Sequence, residues 1–573
     1  MVTDVTARRG RLQQSLRLAP GPLADVLAAN TQAAEVAAGA LYRREPEAWT
    51  SDPSVKSLVA NRLGWLTSPQ LMADSIDRLR RFADGVRGDG FLDVVLLGMG
   101  GSSLAPEVLR AVVGVTPGWP QFHMLDSTDP AAVRAVDTPV DRTLYVLASK
   151  SGTTIEPNSL AAHFQRRLVD GGIANWASRF IAITDGGTEL ERRAHAEGFR
   201  DVFINPSDIG GRYSAVSFFG MVPAALMGQD IDALVTWALA MLTAAEPGFG
   251  EATVNPAVGL GLAIGAGARA GRDKLTLVTP PALEPFGLWV EQLIAESTGK
   301  NGVGVVPIAG EPVAAPDRYG SDRLFVRVNA PGLSTPPAPS SDAPIVEIDS
   351  AEPESIAAEF VRWEIATAVA GALLRINPFD EPNVQQAKDA TRRLLDRYKA
   401  DKQLPIAAAD SSLDGITLTM SGAAKKYAGA AGAAGLLTVL RQGDYFGLLA
   451  YLGPDEALAE ELRALRTAVR DRARVATMCG YGPRYLHSTG QLHKGGPNTG
   501  VFLVVTAEPR EDLDIPGQPF SFGTLERAQG LGDFQSLDAT GRRAVHAHLR
   551  SPDPMLLRSL TDALIGRLDE RPR

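Results

Sequence analysis

Residues Asp93–Pro106 read DVVLLGMGGSSLAP, an apolar strand that runs directly into a turn rich in glycine and serine. Glycines let backbone amides approach a ligand, and Ser102 and Ser103 can donate to anionic oxygens. The helix predicted over Leu104–Val113 would present its positive N-terminus to the same place. Taken alone, the stretch fits a phosphate site, a dinucleotide site or a plain turn. Asp126 ends the next predicted strand, as a ribose-binding acid would, but Ser103 replaces the third glycine of G-x-G-x-x-G.

A second donor-rich loop favours the phosphate site. The predicted strand Thr143–Ala148 runs into SKSGTT at 149–154, and a helix is predicted from Glu156. Loops at the carboxyl ends of parallel strands lie at one edge of the sheet, so two such loops would converge on one phosphate at a topological switch point. A Ser/Thr-rich helix cap explains one or two of these hydroxyls but not the whole group.

The same alternation of short apolar runs and helical segments continues along the chain, and it is typical of parallel sheets with helices on their faces. Residues 1 to about 90 are predicted to be helical instead. Strands are predicted at 93–97, 121–125, 143–148, 180–184 and 201–204, then at 274–278, 303–308, 324–328 and 345–348, and then at 415–420, 445–451, 475–479 and 501–506. A long Ala/Gly-rich helix is expected after residue 420. The predicted fold class is therefore α/β.

Composition excludes several classes of protein. The 573 residues carry 57 Lys+Arg and 66 Asp+Glu, a net charge of −9, with 45% hydrophobic residues, which is the balance of a globular protein. The acidic balance and the lack of a Lys/Arg-dense stretch argue against nucleic-acid binding. No run reaches the roughly 20 apolar residues that span a bilayer, so no membrane segment is expected. Cys479 is the only cysteine, and the N-terminus lacks a secretory apolar region, which predicts a cytoplasmic protein.

Five motifs in order resemble phosphoglucose isomerases, whose two domains have the sugar isomerase (SIS) fold. They are GMGGS at 98–102, SKSGTT at 149–154, GGRYS at 210–214, ESTGKN at 296–301 and NPFDEPNVQQAK at 377–388. The resemblance implies two SIS-type doubly wound parallel-sheet domains. The expected division is an N-terminal helical segment (1–90), a first SIS domain (91–245), a second (246–405) and a C-terminal α/β unit (406–573).

The resemblance also implies roles for single residues. Glu296 matches the glutamate that transfers the proton, Arg212 the arginine that stabilises the enediolate, and Lys388 the lysine on the ring or C1 oxygen. Many members have Gln where this chain has Glu381. The residues expected to hold the substrate phosphate are Gly101, Ser102, Ser149, Lys150, Ser151 and Thr154, and the others expected in the substrate site are Gly211, Glu381 and Gln491. No cofactor or metal is implied.

The histidine is out of family order. Residues 297 to 387 contain none, whereas YLHSTGQ at 485–491 resembles the family's H-S-x-G-Q motif. That displacement is similar to the isomerase half of fused transaldolase–phosphoglucose isomerases. We expect His487 to open the sugar ring, with His493 as the alternative. In the family this histidine comes from the neighbouring subunit, which implies a homodimer, and the sequence leaves open which subunit supplies it here.

The resemblance therefore implies a glucose-6-phosphate isomerase that acts on a small sugar phosphate. Interconverting an aldose and a ketose phosphate needs a carboxylate base, a cation near the enediolate and an acid/base pair for the ring oxygen. One alternative is a SIS-type regulator that binds sugar phosphate without catalysis and needs neither Glu296 nor Arg212. A dehydrogenase that uses the first loop and Asp126 is another alternative. Mannose 6-phosphate as a second substrate also stays open.

Overall fold

Three β-sheets, each with helices packed against it, form the chain in this computed structural model, which describes residues 2–248, 250–338 and 342–570. Two sheets have five strands and the third has six. The N-terminal elements are α1 (Val2–Leu12), β1 (Leu16–Ala19), α2 (Ala24–Tyr42), α3 (Pro53–Ala60) and α4 (Ser68–Gly88). Within the described ranges, no helix is both long and apolar enough to cross a membrane.

The first sheet contains the two donor-rich loops. Its elements are β2 (Asp93–Leu97), α5 (Leu104–Val112), β3 (Gln121–Leu125), α6 (Pro130–Ala135), β4 (Thr143–Ala148), α7 (Ile155–Asp170), β5 (Phe180–Asp185), α8 (Glu189–Glu197) and β6 (Asp201–Asn205). All five strands are parallel, in the order β3-β2-β4-β5-β6, which confirms the predicted strands. The order reverses between β2 and β4, so the loops after these two strands border one crevice.

The second sheet follows two buried helices, α9 (Phe218–Leu226) and α10 (Ile231–Ala244). Its elements are α11 (Val258–Arg269), β7 (Lys274–Val278), α12 (Glu284–Thr298), β8 (Val306–Ile308), β9 (Arg323–Asn329), β10 (Ile345–Asp349) and α13 (Ile356–Leu374). The strand order is β1-β10-β9-β7-β8, and the four strands from β7 onward are parallel. The doubly wound α/β prediction is confirmed.

β1 is the exception to the predicted helical N-terminus, and the prediction is wrong there. It adds to the edge of the second sheet, antiparallel to β10, with Leu16 opposite Ile348. Leu16 is buried, whereas Arg17 is exposed and pairs with Glu347 at 2.8 Å. Four residues are too few for their alternation to be distinguished from a helix end.

The third unit holds a mixed sheet in the order β11-β12-β16-β15-β13-β14. Its elements are α14 (Val384–Asp401), β11 (Ser411–Leu413), β12 (Ile416–Met420), α15 (Gly422–Ala428), β13 (Tyr445–Tyr451), α16 (Glu456–Ala473), β14 (Ala476–Tyr481), α17 (Gly490–Gly495), β15 (Gly500–Ala507), α18 (Phe522–Ala539), β16 (Arg543–Leu549) and α19 (Pro554–Asp569). The expected long Ala/Gly helix is wrong. α15 ends at Ala428 because Gly429 and Gly432 have positive φ, and short 3-10 turns follow.

The units share cores with one another. Side chains from α2 and α4 lie in the same hydrophobic cluster as residues of the first and second sheets. A smaller cluster joins Val306 and Ile308 of the second sheet to Tyr445 and Phe502 of the third. The division of the chain at 90, 245 and 405 stays a prediction.

A buried polar network fixes the third unit to the second sheet. Arg466 of α16 donates to the carbonyl oxygens of Ala309 at 2.7 Å and Gly310 at 2.9 Å. Glu311 accepts from Arg323 at 2.8 Å and from the Thr477 hydroxyl at 2.7 Å. Both carboxylate oxygens of Glu311 are therefore paired across the contact, as a buried charge requires.

Candidate active site

One cavity of about 530 Å³ lies where the loops after β2 and β4 face the C-terminal end of α12. Of the residues that the family resemblance places in the site, only Gln491 and the alternative histidine His493 are missing from its lining. The lining includes Gly101, Ser102, Ser149, Lys150, Ser151, Thr154, Gly211, Arg212, Glu296, Glu381, Lys388 and His487. Residues that are up to 386 positions apart in sequence, from 101 to 487, thus meet in one place.

The SKSGTT loop is ordered by its own hydrogen bonds. Ser149 Oγ accepts from the Gly152 amide at 3.1 Å and donates to Thr154 Oγ1 at 3.3 Å. Ser151 and Thr153 hydroxyls lie 3.1 Å apart. The loop ends in the N-terminus of the 16-residue helix α7, whose first amides have no side-chain cap. Hydroxyls and free amides at a helix N-terminus can together bind a phosphate.

Lys150 lies in the cavity wall but is already bonded. Its ammonium pairs with Asp185 and donates to the Ser207 carbonyl at 3.1 Å. Burial raises the pKa of Asp185, and Lys150 opposes that shift. Lys150 can therefore offer one remaining N–H, so the hydroxyls carry more of the loop's donor capacity than its sequence indicates.

The first loop approaches Arg212 too closely for a side chain at Gly101. A Cβ on Gly101 would lie 2.1 Å from the Gly211 carbonyl oxygen, so only glycine fits without moving the backbone. Glycine at this position lets the two loops make backbone contact, and Ser214 Oγ donates to the Gly101 carbonyl at 3.3 Å. The contact fixes the position of the Arg212 backbone relative to the first loop.

Arg212 is buried, with its side chain 2% exposed, and each nitrogen of its guanidinium group has a partner. Nη1 lies 3.1 Å from Glu296 Oε1 and donates to Glu381 Oε2 at 2.9 Å. Nε donates to the Ser297 hydroxyl at 2.7 Å, and Nη2 donates to two carbonyl oxygens, those of Pro378 and Asp380. The two carboxylates therefore share one guanidinium nitrogen.

Glu296 has the environment of a base. Burial raises its pKa, the Arg212 charge lowers it, and the neighbouring Glu381 raises it further, with a net rise. Gln292, one helical turn earlier on α12, donates from Nε2 to Glu296 Oε2 at 3.2 Å. A carboxylate with a raised pKa at the wall of a cavity can accept a proton near neutral pH.

His487 reaches the cavity from the third unit of the same chain. It ends the 3-10 turn Arg484–His487, and its Nε2 lies 3.0 Å from Glu156 Oε1. Burial would raise the pKa of Glu156, but the charge and hydrogen bond of His487 outweigh it and the pKa is lowered. Gln529 of α18 donates to the same Glu156 oxygen at 2.7 Å. Glu156 is thus an ionised partner for the ring.

Two of the candidate residues, Gln491 and His493, lie outside the cavity lining. Gln491 does not reach the cavity: its Nε2 donates to the Gly299 carbonyl at 2.8 Å and its Oε1 accepts from the Asn383 amide at 2.7 Å. His493, the alternative ring-opening residue, is buried beside Tyr485 and Phe502, and burial lowers its pKa well below the usual range. Its place outside the cavity lining favours His487 over His493 as the ring-opening residue.

The dinucleotide alternative depends on Asp126, and the carboxylate of this residue is already hydrogen-bonded within the protein. It accepts from Arg484 at 2.9 Å and from the Ser103 hydroxyl at 3.2 Å, and it is 6% exposed. A ribose would have to displace Arg484, which counts against the dinucleotide site. In the described part of the chain, no group of three or more His, Cys, Asp or Glu residues is placed to hold a metal ion.

Sequence reasoning missed four residues of the site. Glu156 bonds the His487 ring and Gln529 bonds Glu156, Gln292 bonds Glu296, and Arg62 from the N-terminal segment lines the cavity. Gln292 could have been found, because it lies four residues before Glu296 on a predicted helix and i, i+4 side chains meet. Nothing in the sequence marks Gln529 or Arg62.

Comparison with known proteins agrees with the motifs. Residues 70–301 match the family model of phosphoglucose isomerase. A glucose-6-phosphate isomerase of Prochlorococcus marinus (strain NATL2A) is 32% identical over 261 residues, 41% of this chain and 49% of that protein. A glucose-6-phosphate isomerase of Synechococcus sp. (strain JA-2-3B'a(2-13)) is 28% identical over 401 residues, 58% of this chain and 74% of that protein. The chain spans about half the length of the first of these.

Solved structures add support for the fold. The crystal structure of a hypothetical protein from Thermus thermophilus aligns with a TM-score of 0.55 at 22% identity, over 66% of this chain and 99% of that chain. This similarity bears on the fold alone. The family match ends at residue 301, so Glu381, Lys388 and His487 all lie beyond it.

Proposed function

We propose that this chain, a member of the phosphoglucose isomerase family by its match over residues 70–301, interconverts D-glucose 6-phosphate and D-fructose 6-phosphate. One observation carries the proposal. Glu296 and His487 line the same cavity as the phosphate loop, so a base and an acid face one bound sugar phosphate. No cofactor is needed, because the reaction moves only protons between neighbouring carbons and oxygens.

Binding places the phosphate on the hydroxyls of Ser149, Ser151 and Thr154 at the N-terminus of α7. Ser102 and the Gly101 amide close the site from the first loop. The remaining donor of Lys150 and the guanidinium of Arg62 add positive charge at this end of the cavity. The sugar then extends toward Glu296 and His487.

Ring opening is assigned to His487 with Lys388. His487, held by the Glu156 carboxylate, gives a proton to the ring oxygen as the bond from that oxygen to C1 breaks. The C1 hydroxyl gives its proton to a water molecule and becomes the aldehyde, with Lys388 near that oxygen. The Glu156 carboxylate, 3.0 Å from Nε2, fixes the orientation of the ring for this transfer.

Isomerisation is assigned to Glu296 and Arg212. Glu296 takes the proton from C2, the electron pair forms the C1–C2 double bond, and negative charge develops on the oxygens of the enediolate. A proton passes from the C2 hydroxyl to the C1 oxygen, and Glu296 then returns its proton to C1, which leaves the C2 carbonyl of the ketose. Hydrogen bonds to Ser297, Glu381 and two backbone carbonyls hold Arg212 in place, so its fixed positive charge offsets the developing charge without a reorientation cost.

The other functions considered are less well supported. A regulator that only binds sugar phosphate has no use for the raised pKa of Glu296 or for an ionised partner behind His487. Mannose 6-phosphate as a second substrate stays an open prediction. We further propose a homodimer, as the family resemblance implies, and a cytoplasmic location, as the single cysteine indicates.

A coupled assay tests the proposed function. With fructose 6-phosphate as substrate and a glucose-6-phosphate-specific dehydrogenase as the reporter, we expect kcat/KM of about 10⁴ M⁻¹s⁻¹ or more, as for ordinary enzymes. Binding of fructose 6-phosphate without turnover would support the regulator instead. Tight NAD(P)H binding that fructose 6-phosphate cannot displace would support the dehydrogenase.

Glu381→Gln should shift the pH dependence of this activity. The Glu381 charge disfavours ionisation of Glu296 and competes for Arg212, so it raises the pKa of Glu296. The base must be ionised, so the rate falls as pH drops through that pKa. Removing the charge lowers the pKa, and we expect the acid limb of kcat/KM to move to lower pH, with a loss of less than about tenfold at neutral pH.

The other groups that face Glu296 are unchanged in this variant. They are Arg212, Gln292, Tyr213 and Lys300, whose own pKa is lowered to about 8 by burial. Glu189→Gln, an exposed change on α8, is the matched control and should leave the profile in place. An acid limb that stays where it is, or moves to higher pH, would show that Glu381 does not act on the base.

A further inference from the structure

Arg484 joins the His487 turn to the first sheet. It begins the same 3-10 turn that His487 ends. Its Nε lies 2.7 Å from Asp126 Oδ2, and its Nη2 donates to Asp126 Oδ1 at 2.9 Å. Its Nη1 lies 3.1 Å from Glu107 Oε2. Two parallel N–H bonds to one carboxylate fix the orientation of the turn as well as its distance.

The two carboxylates come from either side of the first phosphate loop. Asp126 follows β3, and Glu107 lies in the first turn of α5, which the loop enters. Their side chains are 8% and 16% exposed. Burial raises the pKa of Glu107, and the Arg484 charge opposes the rise. Without Arg484 two partly buried carboxylates would face each other unpaired, so the arginine is needed for this arrangement.

A continuous chain of contacts then runs from the loop to the catalytic ring. Ser103, in the loop, donates to Asp126 at 3.2 Å. Asp126 accepts from Arg484. His487 lies three residues after Arg484 in the chain, and its ring is 3.0 Å from Glu156. On the other side, Gln292 donates to the His487 carbonyl at 2.7 Å.

We propose that Arg484 is a positioning residue, and that its contacts with Asp126 and Glu107 seat His487 in the active site of its own chain. One chain is then a complete catalytic unit, whatever its oligomeric state. This differs from the arrangement that the family resemblance implies, in which the histidine comes from the neighbouring subunit. The inference rests on the proposed isomerase function for its catalytic part.

Arg484→Met tests the positioning role. It keeps the length of the side chain and removes the charge. We expect turnover of the cyclic substrate to fall about a hundredfold, since small displacements of catalytic groups have effects of that size. Proton exchange from solvent into an acyclic aldose phosphate, which needs no ring opening, should stay within about twofold because Glu296 and Arg212 are untouched. Arg484→Lys should recover part of the loss.

Equal losses in the two reactions, or no loss in either, would overturn the positioning role. Asp126→Asn removes the charge from the partner and guards against a folding defect in the arginine variant. It should show the same split between the two reactions. Arg472→Met, at an exposed pair with Asp569, is the matched control and should change neither.

Mixing two inactive variants tests the single-chain site. Glu296→Gln and His487→Ala chains are co-expressed with different tags, and the mixed species is isolated. If each site is built from one chain, every site in the mixture is defective and no activity returns. If the histidine came from the partner, each mixed dimer would have one intact site and regain about half of wild-type activity. That recovery would overturn the proposal.

Hydrogen exchange separates this inference from the proposed function. Arg484→Met should speed amide exchange in the segment 484–491 relative to wild type and to the Arg472→Met control. If the wild-type chain has no isomerase activity, the proposed function fails. Hydrogen exchange still shows whether Arg484 holds the turn through Asp126 and Glu107. Unchanged exchange in that segment would overturn the role of Arg484 whatever the activity.

Discussion

Glu296→Gln is expected to lower kcat for the isomerisation by about 10²–10⁴-fold, the range over which a general base contributes, with substrate binding largely kept. The amide has the shape of the carboxylate and can still meet Gln292, but it cannot accept the proton from C2. The coupled assay gives kcat, and titration with substrate at equilibrium gives binding. Exchange of the C2 proton with solvent should be lost together with turnover, since both need the same base.

The matched control for this change lies on the same helix. Glu284→Gln, at the exposed N-terminal end of α12, alters the charge of the chain equally and should leave kcat within about twofold. Full activity in Glu296→Gln would refute the assignment of the base. Loss of both turnover and substrate binding would indicate damage to the cavity rather than removal of the proton acceptor.

His487→Ala is expected to separate the two halves of the reaction. Without the imidazole the proposed proton donor for the ring oxygen is gone, so turnover of cyclic glucose 6-phosphate should fall by about 10²-fold or more. Proton exchange on an acyclic aldose phosphate should be nearly unchanged, because Glu296 and Arg212 remain. Nuclear magnetic resonance of deuterium incorporation measures the second reaction.

An exposed histidine provides the comparison. His195→Ala on α8 removes an exposed imidazole that does not line the cavity and should affect neither reaction. If His487→Ala slowed the two reactions equally, ring opening would not be its role. Because the ring and Glu156 act as one pair, Glu156→Gln should reproduce the defect of His487→Ala, and the double variant should be no worse than either.

The parts of the fold that sequence predicts well are those with local signals. β2 and β4 are apolar runs that end at turn residues, so both their bounds and the crevice between them follow from the sequence. Glu296 could be placed in the site because its motif resembles a known family. The short β1 carries no such signal, because its strand character comes from pairing with β10.

The remaining features depend on tertiary packing. Glu156 contacts His487 although the two residues are 331 positions apart in sequence, and no local sequence pattern predicts a contact between them. The contacts of Gln491 could not be predicted either: its motif suggests a place in the substrate site, but its amide nitrogen donates to the Gly299 carbonyl and to the Asn383 side chain. Whether His487 enters its own site follows from where Arg484 is anchored, which is likewise a contact between distant residues.

The Arg466 and Glu311 network has a consequence for how the molecule loses its structure. Detaching the third unit would leave the Arg323–Glu311 pair without Thr477 and expose the carbonyl groups of Ala309 and Gly310 that Arg466 now satisfies. Opening at that contact would lose several hydrogen bonds to charged groups at once, each with a net contribution of about 1.5–3 kcal/mol. The second sheet and the third unit should therefore unfold as one cooperative block, and heat would remove the histidine and the base from the cavity in the same transition.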